Sequence, residues 1–599
     1  MQVRRLSAIV GLPLLASLLY LCLSCSEQGS APVEMDWCLA DSGNVISNGF
    51  ELRDGRVTGI NLATVKDETV PAKLLALQDL ETLRLTTQAF DTLGADAISS
   101  QLTKLNELCI RLEPLSENDQ GTVTLNDYQR LLTLPHLKKL TVEILELNED
   151  RDTHPARSIS SLEQLDAAIN LQSQLSSILS SLKLKRLRLQ LTRDSRPLDV
   201  QDLQEINRQS DLESFTLFGP TLITFPGQPQ VEPARIDFRQ LKGLSRLQEL
   251  SLCNVHFDPQ GLLQLPQLKR LTIRECQLEA SSFAVLLEHP SLQKIVVLGC
   301  TNEDLNLTRP LPPVDTKLKQ IDLQMVSLAE LKMFANVNCD LHVTLGNMNS
   351  ERYLERFFCS LGDSIPQVGA PELQQLDQLK TMSEFELLHS VSGRIEPAIL
   401  VRLAVLPGLR SLVVDGANLE KTMARLPPVD RLPRLQHLSL LTYPGPASGV
   451  LNQLLQPELR SLSLRSSRPR EKQPFNPWKG LSVAPLSQLQ QVELSDYRFL
   501  ESGSRIPKQF LSPSLKQITF EFCDLDRDCL KQISAQAPRL KKFRMSGQSA
   551  ISQESDLLLL NRFTNLEQVD LFDSDVTAKI AFQLQSRHVR IGGEEMFQW

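Results

Sequence analysis

The sequence predicts an α/β fold, a curved solenoid with a parallel β-sheet on its concave side and helices and short turns on its convex side. The first observation is a recurring phrase, L-x-x-L-x-L-x-x-(N/C)-x-L, which is clearest as LKRLTIRECQL at residues 268–278. The second is its spacing, because uninterrupted copies recur about every 21–26 residues, a period typical of solenoids. The third is that one copy cannot bury its apolar side alone, so the copies must stack around one continuous core.

The copies extend over most of the chain. Clear copies begin at Leu268, Leu292, Leu318, Leu409, Leu489, Leu515 and Leu566, and weaker copies begin at Val57, Leu80, Leu105, Leu137, Leu184, Leu212, Leu247, Leu435, Leu459 and Leu540. Each copy places a short strand at L-x-L, with alternate residues pointing inward. We therefore expect about 19 parallel strands in an open arc roughly 90 Å long, with Val57 near one end and residues 589–591 near the other.

Between the phrases, the chain must return along the convex side. Residues 281–290 and 526–538 have helical spacing, and Asp526 is a candidate N-cap for the second helix. Returns such as FDPQGLLQLP (257–266) are shorter, so we expect one turn of α- or 3-10 helix there.

The domain organisation is a signal at 1–25, a linker and the start of an N-terminal cap at 26–45, and a solenoid at 46–599. Interruptions fall near 143–183, 218–240, 346–378 and 466–485. In the first of them, residues 161–179 (SLEQLDAAINLQSQLSSIL) have a helical pattern. In the last, which is basic, the pattern places Phe475 and Trp478 at exposed positions. Long insertions are often functional, and neutral elaborated loops are the alternative.

The N-terminus has the features of an export signal. Arg4 and Arg5 precede an apolar run over 6–23, and a polar stretch follows Cys25. The segment resembles a bacterial lipoprotein signal, in which Cys25 would be acylated and become the new N-terminus. Cys22 departs from that pattern, because Leu is usual at this position. A cleaved secretory signal and an uncleaved anchor remain open, and all three interpretations place the protein outside the cytoplasm, in the cell envelope.

The chain has 11 cysteines, which in an exported protein invites a disulfide interpretation. Cys276, Cys300 and Cys523, however, occupy the ninth slot of the phrase, where the side chain packs on the neighbouring coil. The absence of a CxxC pair removes the usual zinc and redox signatures. We expect mostly buried free thiols, with Cys523–Cys529 and Cys38 as the places where a bond is conceivable.

Charges at the second and third slots of the phrase are mostly basic, although the whole chain has a net charge of −8. The basic residues at these slots are Lys138, Lys139, Lys185, Arg186, Lys269, Arg270, Lys294, Lys319, Arg410, Arg460, Lys516, Lys541 and Lys542, against Glu81, Glu107, Glu213, Glu249 and Glu567. The candidate ligand-binding residues are Lys269, Arg270, Lys294 and Lys319, where the repeats are most regular. An anionic partner would be attracted to such a stripe. The alternative is that polar side chains there only keep an exposed sheet soluble.

No catalytic constellation is present in the sequence. The eight histidines are scattered, and no HExxH, GxSxG or phosphate-loop pattern appears. We therefore expect no enzyme activity, no metal and no cofactor. The weakly acidic balance gives no indication of nucleic-acid binding.

The phrase resembles that of the leucine-rich-repeat superfamily, nearest the Cys-containing subclass, over roughly residues 50–595. The resemblance implies recognition of a protein or glycan on the concave face. The expected function is an exported, lipid-anchored interaction protein, similar to bacterial exported leucine-rich-repeat lipoproteins. The alternative is a structural envelope component that holds an anionic polymer or another envelope protein. Saturable binding to one partner favours the first, and salt-sensitive binding to many polyanions favours the second.

Overall fold

The structure is a computed structural model that describes residues 35–38, 48–63, 65, 69–112, 123–146, 161–171, 175–192, 195–220, 234–276, 280–298, 317–326, 339–345, 367–368, 388–395, 410–414, 435–443, 451–452, 454–466, 478, 481–482, 484–499, 505–546, 549–551, 553–572 and 576–592. The signal, Cys25 and most of the linker lie outside the described residues. So do most residues of the interruptions at 218–240, 346–378 and 466–485.

The strands are short and recur along the described chain. They are β1 Gly49–Arg53, β2 Arg56–Leu62, β3 Thr82–Thr86, β4 Glu107–Arg111, β5 Val123–Thr124, β6 Lys139–Glu146, β7 Gln164–Asn170, β8 Arg186–Leu191, β9 Ser214–Phe218, β10 Ala234–Ile236, β11 Glu249–Cys253, β12 Val255–Phe257, β13 Arg270–Arg274, β14 Lys294–Leu298, β15 Gln320–Val326, β16 Asp340–Leu345, β17 Gln367–Val368, β18 Leu388–Ile395, β19 Ser411–Val414, β20 His437–Tyr443, β21 Ser461–Ser466, β22 Gln491–Ser495, β23 Gln517–Glu521, β24 Asp524–Leu525, β25 Lys542–Ser546, β26 Ala550–Ile551, β27 Gln568–Phe572 and β28 His588–Gly592.

Successive repeats pair in parallel with matching slots side by side, which confirms the predicted α/β leucine-rich-repeat solenoid. Between β13 and β14, Leu271 lies opposite Ile295 and Ile273 opposite Val297. These side chains are buried, and the fixed apolar slots of the described repeats belong to one core. The alternate side chains, such as Arg270 and Thr272, point to the concave face because the side-chain period of a strand is two residues.

Helices and 3-10 turns return the chain on the convex side. The helices are α1 Val70–Leu75, α2 Thr87–Leu93, α3 Ala95–Gln101, α4 Leu125–Leu131, α5 Ser176–Leu179, α6 Val200–Asn207, α7 Pro259–Leu262, α8 Ala280–Leu287, α9 Arg527–Gln536 and α10 Ala578–Gln583, and 3-10 turns span Asp36–Cys38, Phe238–Gln240, Lys508–Phe510 and Glu554–Arg562. The returns predicted at 281–290 and 526–538 are α8 and α9, and Asp526 caps α9 by accepting a hydrogen bond from the Cys529 N–H at 2.6 Å. The short return α7 has one turn, as predicted.

The sheet closes on itself, so the predicted open arc is wrong. Strand β1 pairs antiparallel with β2 on one side and with β28 on the other. The remaining neighbours form an unbroken series of parallel pairs from β2 to β28. Val57 and residues 589–591 were expected at opposite ends, but a single strand separates them. Among the described strands, the 24-stranded sheet is therefore a ring, with β5 and β17 attached beside it.

The seam between β1 and β28 depends on two glycines at one end. A Cβ on Gly49 would lie 2.3 Å from the Ile591 carbonyl oxygen, and a Cβ on Gly592 would lie 2.3 Å from the Gly49 Cα. At the other end, Asp54 and Gly55 both have positive φ, as the tight turn of a two-residue hairpin requires. That turn folds β1 back between the two ends of the parallel series.

Side chains also join the two sides of the seam. His588 Nε2 lies 2.7 Å from Glu51 Oε1. Burial raises the pKa of the Glu51 carboxyl, but the hydrogen bond and charge of His588 outweigh it and hold that pKa below its ordinary value. Beneath the sheet, the rings of Phe50 and Phe582 stack 6.0 Å apart. The two ends of the solenoid are thus linked by backbone, charge and core contacts.

The ring encloses a lumen whose size follows from strand spacing. With about 22 strands in the ring and about 4.8 Å between strands, the circumference is roughly 105 Å and the diameter roughly 34 Å. Because sheets that face each other pack about 10 Å apart, the two side-chain layers together take about 10 Å of this diameter. The described strands therefore define an opening of roughly 24 Å.

The helix predicted over 161–179 is a second correction. Residues 164–170 form β7, and the helix there is limited to the four residues of α5. Leu162 and Leu165 are buried in the core at the first and fourth slots of a repeat, and Ala167 stands where most copies have Leu. The segment is therefore a repeat, and Ala167 in place of Leu made its sequence pattern difficult to recognise.

Trp478 is a third correction. It was expected to be exposed, but its side chain is only 7% exposed. Its ring lies 5.0 Å from that of Tyr497 and 5.3 Å from that of Phe510. Trp478 therefore anchors the end of the 466–485 interruption to the core, while Phe475 lies outside the described residues.

Candidate functional site: the luminal face of the sheet

The luminal face consists of the alternate strand residues that point away from the core. It is largely polar, and several of its charged side chains pair with a side chain of opposite charge on a neighbouring strand. Arg84 pairs with Glu107 at 3.1 Å, and Glu107 also pairs with Lys139 at 3.1 Å. On the other side of the seam, the buried carboxylate of Asp570 accepts two hydrogen bonds from Arg590, each 2.8 Å long. Much of the luminal charge is therefore neutralised within the sheet.

The four predicted ligand-binding residues lie together on β13 to β15, at the strand starts and the rim beside them. Arg270 and Lys294 are directly opposite each other on adjacent strands. Lys269 and Lys319 are exposed at the rim, each one residue before its strand. We call these four residues the ladder; Arg270 and Lys294 are adjacent in it, whereas Gln293 separates Lys269 from Lys319.

Two members of this ladder have polar partners. Lys294 Nζ lies 2.5 Å from Asp322 Oδ2, on the next strand. Lys269 Nζ donates a hydrogen bond to Gln248 Oε1 at 2.9 Å. The ladder is thus less positive than its slots suggest, and its role in binding stays a prediction.

A cavity of about 230 Å³ opens on the luminal face between β4 and β9. We call it the β4–β9 pocket. It is lined by Glu107, Cys109, Arg111, Lys139, Thr141, Gln164, Leu165, Asp166, Arg186, Leu187, Arg188, Ser214 and Thr216. Five neighbouring strands contribute side chains to the pocket. Their repeats are in register, so the residues at the third, fifth and seventh slots of one strand lie beside those of the next.

Cations outnumber carboxylates in the β4–β9 pocket. Arg188 lies 3.2 Å from Asp166, and its guanidinium carbon is 4.8 Å from the centre of the Phe218 ring. Lys139 shares Glu107 with Arg84. Arg186 is exposed, and within the described part of the chain it has no ion-pair partner. The pocket thus offers guanidinium groups to an incoming anion.

Burial perturbs the acids around the pocket. It raises the pKa of Asp166, and the positive charges of nearby Arg188 and Arg111 only partly offset this rise. Burial likewise raises the pKa of Glu143, whose carboxylate accepts a hydrogen bond from the Leu112 N–H at 2.7 Å. For both carboxyls, burial therefore outweighs the favourable hydrogen bonds and positive charges around them.

The thiols of the described residues are free. They are Cys38, Cys109, Cys253, Cys276, Cys339, Cys523 and Cys529, so the bond considered between Cys523 and Cys529 is not formed. Cys276 Sγ donates to the Arg274 carbonyl at 3.2 Å, as expected for a ninth-slot residue in the turn. Burial raises the pKa of Cys276 to about 11, which disfavours its reactive thiolate form.

Two kinds of feature are missing from the described residues. No cluster of three or more His, Cys, Asp or Glu side chains in these ranges is arranged to hold a metal ion. Nor does any described helix combine the length and apolar character needed to cross a bilayer.

The sequence did not reveal the β4–β9 pocket. The basic slots at Lys139, Arg186 and Arg188 were visible, but the strand carrying Asp166 was taken for a helix. If residues 164–170 are read as a strand, Lys139, Asp166 and Arg188 fall on three neighbouring strands. Their alternating charges would then have indicated a charged site on the concave face.

No family model matches the chain, and the search of curated proteins found no match. Among solved structures, the chain is similar to one in a crystal structure of a TLR13–ssRNA13 complex, with a TM-score of 0.36 and 13% identity, covering 88% of this chain and 75% of that chain. It is also similar to a chain of the mouse RP105/MD-1 complex, with a TM-score of 0.34 and 14% identity, covering 87% of this chain and 91% of that chain. Such loose likenesses carry no argument about ligand or site.

Proposed function

We propose that this chain is an exported, lipid-anchored interaction protein that binds its partner through the luminal face of the ring. The observation that carries the proposal is the β4–β9 pocket, where side chains of five strands converge on the face opposite the core. Pockets with converging polar groups are the usual binding sites of proteins. The predicted ladder on β13 to β15 borders the same lumen.

Binding through this face is tested by capturing partners from envelope extract with residues 26–599. A luminal variant carries Lys269→Glu, Arg270→Glu, Lys294→Glu and Lys319→Glu. A control variant with the same change in net charge carries Lys73→Glu, Arg235→Glu, Lys242→Glu and Lys579→Glu, all at exposed positions outside the ring of strands. We expect the luminal variant to lose a partner that the control retains, and the loss to be larger at low ionic strength, where charges are less screened. Equal capture by both variants would contradict a role for the ladder.

Lipid anchoring is tested separately at Cys25. More than one acyl chain gives stable membrane attachment, whereas a single chain is marginal. Cys25→Ser should therefore move the protein to the soluble fraction or leave the signal uncleaved. Membrane attachment with unchanged amount and mass would instead favour a plain N-terminal anchor.

A further inference from the structure

We infer that the β4–β9 pocket binds one acidic sugar unit of a linear glycan that enters along the axis of the ring. This inference rests on the proposed function, since it names the ligand class for the same luminal face. It depends on three observations, which are the charges of the pocket, its hydrogen-bonding groups and the closure of the sheet.

The cations select for an anionic group. Arg111, Lys139, Arg186 and Arg188 line the pocket, against the two carboxylates Glu107 and Asp166. Arg186 and Arg188 are two residues apart on β8, so both guanidinium groups project from the same face. A guanidinium presents a planar fork of donors that matches a carboxylate, so this pair is suited to hold the acid group of a sugar.

The other lining groups select for a polyol. Glu107 and Asp166 would repel a bare inorganic anion, but each can accept a hydrogen bond from a hydroxyl. Thr141, Ser214 and Thr216 add hydroxyls that both donate and accept. A sugar acid supplies one anionic group together with several hydroxyl donors and acceptors, and this combination matches the mixed lining.

Size and access select for a single unit on a narrow chain. The cavity volume of about 230 Å³ is below the usual range of sites for drug-sized ligands, so one sugar ring fits better than an oligosaccharide. The neighbouring units must then run along the lumen. Because the described strands form a closed ring, these units must run along the ring axis, which excludes bulky or highly branched ligands.

The experiment is isothermal titration of the full chain with linear oligogalacturonate. Neutral malto-oligosaccharide of equal length and an oligoglutamate peptide are the comparison ligands. We expect oligogalacturonate to bind, the neutral glycan not to bind, and the peptide to bind at least tenfold more weakly. Failure of oligogalacturonate to bind, or equal binding of the peptide, would overturn the inference.

Variants locate the binding. Arg186→Gln combined with Arg188→Gln should weaken oligogalacturonate binding at least tenfold, while Arg235→Gln combined with Lys242→Gln, outside the ring of strands, should leave it within twofold. Both pairs are exposed and remove two charges, so circular dichroism should show the same fold in each. If the β8 pair has no effect while Lys269→Gln combined with Arg270→Gln abolishes binding, the pocket assignment is wrong although luminal binding stands.

Discussion

Closure of the ring makes a sharp prediction about Gly49. Substitution by Val places a side chain 2.3 Å from the Ile591 carbonyl oxygen, where the neighbour is rigid backbone and cannot move aside alone. Strand β1 must therefore separate from β28. Its pairing with β2 can persist, because the two strands of the hairpin can move together. Gly55→Asn is the control, because Gly55 lies in the same hairpin at φ +75 with open space around its Cβ position, and Asn tolerates that conformation.

The cost can be estimated from the seam itself. Five residue pairs join β1 to β28. A backbone hydrogen bond contributes about 1 kcal/mol net, and with about one bond per residue pair the ladder contributes roughly 4–5 kcal/mol. Loss of that contribution should speed exchange of those amides in residues 588–592 that face β1 by about three orders of magnitude, since every 1.4 kcal/mol is tenfold.

Hydrogen exchange followed by mass spectrometry measures this change, and small-angle scattering measures the accompanying opening of the ring. The wild type and Gly55→Asn should show protected residues 49–53 and 588–592. Unchanged protection in Gly49→Val, with an unchanged maximum dimension, would refute the seam.

A cross-link tests closure independently of destabilisation. Arg53 and His588 are directly opposite each other in the seam. Opposite residues in antiparallel strands have Cβ atoms about 5 Å apart, close enough for a disulfide after a small adjustment. The variant with Arg53→Cys and His588→Cys, which we call the locked ring, should form that bond on oxidation. The pair Arg53→Cys and Lys542→Cys, separated by further strands, should not.

Four other outcomes are expected. Asp570→Ala should destabilise the fold by about 3 kcal/mol in urea unfolding, because Arg590 loses a fully buried partner. Trp478→Ala should cost about 3 kcal/mol through the cavity it leaves, whereas Val200→Ala, at a site 56% exposed, should change stability by less than about 0.5 kcal/mol. Since the folded pKa of Glu51 lies below its ordinary value of 4.5, its stabilisation is present above that pH and is lost as the pH falls through the folded pKa, so Glu51→Gln should flatten the acid limb of the pH–stability curve. The locked ring should bind free oligogalacturonate as the wild type does, but should reject one that carries a folded domain at each end.

The sequence predicted the elements that are repeated and missed those that occur once. Buried slots such as Leu271 and Ile273 recur with a fixed period, so each strand of that type was visible locally. Strand β7 was missed because Ala167 replaces the usual Leu, which left a pattern that also fits a helix. Trp478 was misplaced because its partners, Tyr497 and Phe510, belong to the following repeat and turn.

Partial neutralisation of the ladder was missed for a related reason. Lys294 occupies a third slot and Asp322 a fifth slot. A comparison limited to residues at the same slot of different repeats misses the diagonal contact between these two side chains. Long side chains readily reach diagonal neighbours across adjacent strands. Charges on such a sheet have to be assessed in two dimensions, which requires the register of every neighbouring repeat.

Closure could not be inferred from any local pattern. It is the sum of small rotations between successive repeats, so a modest change in curvature or in repeat number would leave the ends apart. Once the total rotation brings β28 near β2, the parallel series still has two unpaired edges. The hairpin strand β1 fills that gap because it can offer its two edges to both at once.

Closure also changes what the same luminal residues can recognise. On an open arc, the concave face is accessible to a folded partner, whereas the described strands of the ring leave an opening of roughly 24 Å. A domain of 100 residues has a radius of gyration of about 13 Å and a diameter of roughly 34 Å, so it cannot enter. An α-helix about 10–12 Å across or an extended glycan can. In the proposed function, the seam at Gly49 and Gly592 would therefore act on specificity as well as on stability, because a closed ring admits narrow ligands to the β4–β9 pocket and excludes globular ones.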